Sequence, residues 1–204
     1  MIVRVLTVLR RLLVHEALRC TSTVRWVARR GPHAVRAGAT ALPYAAEQAF
    51  LMYTMIFVSV IETIVLALVI PWPVVHLTLL VLGIWSIFFA VGLHASCVVR
   101  PHVLEADGSL RVRYGALVDI RIPAGSIASV TAHRQEGGGT GKSQEDGSVV
   151  VGVAGQTTLT VELTEPVAYT RPLGRKASTG VVHLHVEDAR TVAALLRSAV
   201  AETR

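Results

Sequence analysis

The sequence predicts two membrane-crossing helices arranged as a hairpin, followed by a β-barrel domain with a C-terminal helix. Three observations carry that prediction. Residues 50–99 hold no Lys or Arg and a single acid, Glu62, and Pro71-Trp72-Pro73 breaks the apolar run in its middle. After Arg100 the pattern changes to alternation of apolar and polar residues, the signature of half-buried strands. Residues 187–201 return to helical spacing. The chain therefore divides into an Arg-rich arm and connector (1–49), a hairpin (50–99) and a β-rich domain (100–204).

Charge follows the same division. The chain is 52% hydrophobic and only 17% charged, an unusual balance for a soluble protein. The arm carries eight Arg against Glu16 and Glu47, whereas residues 100–204 carry twelve basic and eleven acidic residues. The basic pI thus belongs to the arm. A nucleic-acid surface on the C-terminal domain would need clustered cations of its own, so no nucleic-acid partner is expected. Cys20 and Cys97 stand apart and form no CxxC pair, which indicates neither a disulfide framework nor a zinc site.

Residues 1–30 resemble a signal peptide only superficially, because Arg10 and Arg11 interrupt the apolar core. On a helical wheel Arg4, Arg11, His15, Arg19, Arg25 and Arg29 fall on one side, with Val5, Leu6, Leu9, Leu12 and Leu13 roughly opposite. Gly31-Pro32 is expected to end the helix. This pattern predicts an interfacial helix whose Leu/Val face enters the acyl boundary. Arg4, Arg11, Arg19, Arg25 and Arg29 would then face anionic headgroups, each contributing about 1 kcal/mol. Residues 33–49, Ala-rich and broken by Pro43, read as a connector.

Phe50–Ile70 would be about 31 Å long as a helix, matching a bilayer core of about 30 Å. The second span, about 74–98, is slightly longer and is expected to tilt or emerge into water. Pro71-Trp72-Pro73 places an indole at the interface, and Trp85, mid-span, is expected to pack. The turn between the spans has no Arg or Lys, while Arg residues precede the first span and Arg100 closes the second. Both termini are therefore expected in the cytoplasm of a bacterial-type inner membrane. Glu62 is costly at membrane depth and should meet a partner, either Ser86 or the Gly83 backbone.

In the C-terminal domain, strands are expected at 110–114, 118–122, 127–133, 149–153, 159–163, 166–170 and 182–186. Asp107-Gly108, Pro123-Ala124-Gly125, the glycine-rich 137–141 and Gly180 supply turns. Val192, Leu195, Leu196, Ala199 and Val200 form the apolar face of the last helix, with Asp188 as its cap. Seven or so antiparallel strands plugged by one helix describe a pleckstrin-homology-like barrel.

Two spans running into Leu110-x-Val112-Arg113-x-Gly115, Ile120-x-Ile122-Pro123 and Ile127-x-x-Val130 resemble bacterial membrane proteins with PH-like domains, of the YdbS/YdbT type. The resemblance covers about residues 50–135. It implies a cytoplasmic module for protein–protein or membrane-surface contact, and no catalysis.

Other motifs carry less. Gly137–Ser143 has Glu136 where a phosphate loop needs Gly, and a strand follows where the motif needs a helix, so a solvated hairpin loop fits better. Arg111 and Arg113 are expected as outward-facing strand charges that could touch anionic lipid. His183 and His185 could form half a metal site, but no third ligand is evident and surface residues explain them. No catalytic constellation, cofactor site or metal site is expected. The function these features suggest is a membrane-anchored scaffold with a protein partner of unknown identity, which could act as a homo-oligomer. The rival is a small transport or channel subunit in which Glu62 works and the barrel regulates.

Overall fold

The computed structural model describes residues 2–136, 142–143, 147–172 and 174–203. Helix α1 (Ile2–Val27) stops short of Gly31-Pro32. Arg29 leaves it with φ +49°. The Arg29 amide donates to Trp26 O and the Arg30 amide to Arg25 O, both at 3.0 Å. This is a Schellman closure with Arg at the left-handed position usually held by Gly.

The connector is more structured than its composition suggests. It contains strand β1 (Thr40–Leu42), and helix α2 (Ala46–Val69) begins at Ala46 rather than Phe50. Residue Ala45 offers no side-chain cap. Glu187 of the β domain does so instead, its Oε1 accepting from the Ala46 amide at 3.1 Å. Helix α3 (Pro73–Val99) starts with Pro in its first turn, where the missing N–H costs nothing.

α2 and α3 are long and apolar enough to cross a membrane, with mean hydropathy 2.2 and 2.4 over their most apolar stretches. Only 6% of each stretch is buried within the protein. The helices meet at Gly83, where an added Cβ would collide with the Thr63 side chain, so this glycine sets their close approach. The register at that depth is the expected one, yet Glu62 projects outward and is exposed. Ser86 Oγ donates to Gly83 O within its own helix, and the expected contact with Glu62 does not form. Thr63 occupies the facing position instead. Trp85 is not packed inside either: it is 57% exposed, its ring 5.7 Å from that of Phe89.

Beyond the hairpin come β2 (His102–Leu104), β3 (Leu110–Tyr114), β4 (Val118–Ile122), a single 3-10 turn at Ala124–Ser126, and β5 (Ile127–Glu136). Then follow β6 (Lys142–Ser143), β7 (Val149–Val151), β8 (Gln156–Thr170), β9 (Lys176–Leu184) and α4 (Ala189–Thr203). They form two sheets, ordered β1-β2-β3-β4 and β5-β8-β9-β7-β6. The closed barrel expected from the sequence is not formed. Pro123 and the 3-10 turn carry the chain out of the first sheet, so β5 pairs with β8 and not with β4. Nor is the pairing wholly antiparallel, because β7 runs parallel to β9. The two strands expected at 159–163 and 166–170 are one strand, β8, with an irregularity between Glu162 and Val167. The phosphate-loop candidate at Gly137–Gly141 lies outside the described residues.

Both sheets contribute to one core. Leu110, Val112, Ile120 and Ile122 from the first join Leu159, Val161, Val182 and Leu184 from the second. α4 adds Val192, Ala193 and Leu196, whereas Leu195 is 40% exposed. Arg197 anchors the helix by donating from Nε and Nη2 to Val130 O at 3.0 and 2.8 Å.

Candidate functional site

The junction where the apolar helices meet the β domain gathers buried polar side chains from α1, the connector, α3 and the first sheet. α1 is the first component. Its polar side, expected to face headgroups, is the side turned toward the rest of the protein. His15 bridges two loops, with Nδ1 2.8 Å from Ala116 O and Nε2 2.9 Å from Pro172 O. Arg19 is buried, paired with Glu16 and lying 4.1 Å from the centroid of Phe89. Gly92 makes room for it, since a Cβ there would lie 2.7 Å from Arg19 Cγ. Trp26 sets its ring edge-on to His94, 5.8 Å away.

The opposite face of α1 is left open: Leu6, Leu9, Leu12 and Leu13 are between 49% and 71% exposed. Of the five Arg assigned to a headgroup face, Arg11 is half-buried, Arg19 is committed to α3 and Arg29 is exposed at the helix end. Arg25 belongs to the cluster described next, and the side chain of Arg4 lies outside the described residues. An isolated wheel identifies two faces but not which one the tertiary structure will take.

The second component is a cluster of cations around the turn at residues 31–33. Arg25 Nη2 donates to Gly31 O at 2.9 Å, and its Nε is buried without a hydrogen-bond partner. The His33 amide donates to Val99 O at 2.7 Å, tying the turn to the end of α3. Arg100, the next residue, donates from Nε to Ser22 Oγ at 3.0 Å. Arg113 donates from Nη1 to His33 O at 3.0 Å and is 2% exposed. It is thus a buried residue and not the outward-facing strand charge the alternation suggested. Arg111, two residues earlier on the same face, is held by Asp119 through a paired contact of 2.8 and 2.6 Å.

The electrostatics follow from that crowding. Burial lowers the His33 pKa, and the positive charges of Arg100, Arg25, Arg113 and Arg111 lower it further, in that order. Burial also lowers the pKa of Arg100 and Arg113 from the ordinary arginine value, with Arg111 acting the same way. Arg111 moves upward because of its hydrogen bond to Asp119. Among the described residues, no carboxylate forms a salt bridge with Arg25, Arg100 or Arg113.

Below the cations lies a buried aromatic and polar layer. Tyr44 is fully buried, stacked on His102 with centroids 4.5 Å apart, and its Oη accepts from the Gly115 amide at 2.7 Å. Burial raises the Tyr44 pKa well above 10.0. His102 is held between the Arg113 amide, which donates to Nδ1 at 2.9 Å, and His185 O, 3.0 Å from Nε2. A cavity of about 300 Å³ opens beside this layer, lined by Trp26, Tyr44, Tyr53 and His94 among others.

His183 and His185 do not share an exposed face. His183 meets Thr160 Oγ1 at 3.0 Å, while His185 is fully buried with Nε2 3.6 Å from Glu47 Oε2. Among the described residues there is no group of three or more His, Cys, Asp or Glu placed to hold a metal. Sequence reasoning assigned no site role to Arg100, His33, Ser22 or Tyr44. No local pattern marks them, because they meet only through tertiary packing. No protein-family model, curated protein or solved structure matches this chain.

Proposed function

We propose that this chain is an integral membrane protein in which α2 and α3 span the bilayer and the two-sheet domain is displayed at the cytoplasmic face as a platform for a protein partner. The observation that carries the reading is the open apolar surface of both helices, of which only 6% is buried in the protein. A core helix of a soluble protein is mostly covered by its own chain. Here the cover must come from outside, and hydrocarbon supplies it. Val74, Leu68, Phe50 and Phe88 are each at least 70% exposed. The open leucine face of α1 supports an interfacial position beside the same leaflet. The resemblance of residues 50–135 to bacterial membrane proteins with PH-like domains points the same way. The absence of Arg and Lys between the spans, against Arg on both sides, favours cytoplasmic termini.

A second reading rests on Glu62, whose exposed carboxyl is the one charged group in the apolar run of residues 50–99. An acid at that depth needs a partner, and a second copy of the chain would provide one. In such an oligomer Glu62 could serve transport. Replacement by Gln separates the two readings. Under the platform reading, Glu62→Gln leaves unchanged the set of proteins crosslinked to the β domain in native membranes, while Arg→Ala changes in the arm diminish it. Loss of ion or solute flux with Glu62→Gln, crosslinks intact, would favour transport.

A further inference from the structure

We infer that the cation cluster around residues 31–33 is a binding site for the phosphate group of an anionic phospholipid headgroup. This inference rests on the membrane reading above, because that reading puts the cluster at headgroup depth: Arg100 directly follows the last residue of α3. Arg25 and Arg100, both half-buried, are the contacting groups. Arg113 lies beneath them as a fixed charge, held by His33 O and closed to solvent.

Three features argue for an anion rather than a merely solvated basic patch. First, the cations come from separate elements. Arg25 is on α1, Arg100 follows α3 and Arg113 is on β3. Hydrogen bonds to Gly31 O and His33 O hold Arg25 and Arg113 at one turn, while the His33 amide bond to Val99 O and the Arg100 bond to Ser22 Oγ of α1 bring Arg100 beside it. Scattered surface arginines do not need such positioning, and bringing like charges together costs energy unless an opposite charge repays it. Second, Asp119, the nearest-acting carboxylate, is taken up by the paired contact with Arg111, and Glu105, which also acts on Arg113, forms no salt bridge with it. Third, Arg25 Nε is buried with its N–H unsatisfied, a donor for which the protein provides no acceptor. A phosphate brings several acceptor oxygens and matches guanidinium geometry. The open leucine face of α1 would lie against acyl chains while Arg25, in the last turn of the same helix, reaches the headgroup.

The test uses the full-length chain in neutral detergent, titrated by native mass spectrometry with short-chain phosphatidylglycerol. Phosphatidylcholine of the same chain length and inorganic phosphate form the other two arms. Phosphatidylglycerol should bind more tightly than phosphatidylcholine. Arg25→Gln and Arg100→Gln should each raise its Kd about fivefold, with the losses compounding in the double variant. Arg190→Gln, which removes an exposed charge from α4, should leave the Kd unchanged. Asp119→Asn removes a nearby negative charge and releases Arg111 from its pair, and should tighten binding, a gain that partial unfolding could not mimic. Equal binding of the two lipids, or wild-type affinity in the Arg25 and Arg100 variants, overturns the inference. Inorganic phosphate that binds with the same dependence while phosphatidylglycerol does not also overturns it, leaving a soluble anion site. The titration in detergent does not depend on how the chain sits in a bilayer, so its failure is distinct from failure of the membrane reading.

Discussion

Replacing Tyr44 by Ala is expected to lower the stability of the folded chain by about 3–5 kcal/mol, the range for removing a buried aromatic ring. Tyr44 is fully buried at the meeting point of the connector, α3 and the first sheet. It stacks on His102 and Tyr114, with centroids 4.5 and 6.1 Å away. Its hydroxyl is the acceptor for the Gly115 amide. Gly115 sits at φ +50° beside Ser96 Oγ, so its amide has little freedom to find another partner. The Ala variant therefore loses the ring contacts and strands a buried donor. Tyr44→Phe keeps the rings and loses the hydroxyl's bonds to the Gly115 amide and the Cys97 side chain, at about 1–3 kcal/mol. Thermal unfolding of the detergent-solubilised chain, followed by circular dichroism, checks both. Equal melting temperatures for the wild type and Tyr44→Ala would mean that the connector is not part of the fold.

The second large effect concerns pH. His102 is fully buried between two backbone groups, and burial lowers its pKa from 6.5 to about 3. The unfolded chain takes up a proton at about 6.5, while the folded chain resists it until about 3. The stability this group contributes is therefore complete above about 6.5 and is lost as pH falls through the window between the two values. Within that window the slope is about 1.4 kcal/mol per pH unit, or about 5 kcal/mol in all as an upper bound. Burial lowers the His185 pKa as well, which adds to the loss in the same direction. Asp107 and Asp188 also have lowered pKa values, from hydrogen bonds to Ser109 and Thr191 respectively, but they act below the usual carboxylate pKa. The interval from about pH 4.5 to 6.5 thus isolates the imidazoles. His102→Gln should flatten the dependence of melting temperature on pH there by about one proton's worth of slope. An unchanged slope would show that His102 is not buried as a neutral ring.

How much of this was legible in the sequence depended on range. Periodicity along one element was enough for α2, α3, β3, β4 and α4, because each has a long or strongly alternating pattern that packing does not override. The depth of Glu62, level with Gly83, was legible in the sequence because antiparallel helices fix depth. Its direction was not, because neighbouring Thr63, opposite Gly83, takes the inward position. Alternation made Arg113 a surface residue, but the sheet face opposite the core is itself covered by the turn at His33. The barrel failed to close for a similar reason: strand spacing does not reveal which strands pair, and Pro123 diverts the chain between sheets. β1 was hidden because three residues of Thr-Ala-Leu carry no pattern at all and owe their strand to pairing with β2. The cation cluster is the extreme case. Its members lie at 25, 33, 100, 111 and 113, and nothing but the fold brings them together.

The arrangement stands on one structural proposition, that the α2–α3 hairpin crosses a bilayer and leaves both ends of the chain on the same side. Compartment-sensitive reporters fused at residue 1 and at residue 204 measure this most directly, because a hairpin of two spans must return the chain to the side it left. Cytoplasmic signal from both fusions, with the chain retained in the membrane fraction at alkaline pH, is the expected result. An external signal from either fusion, or release of the chain by alkaline extraction, would contradict it.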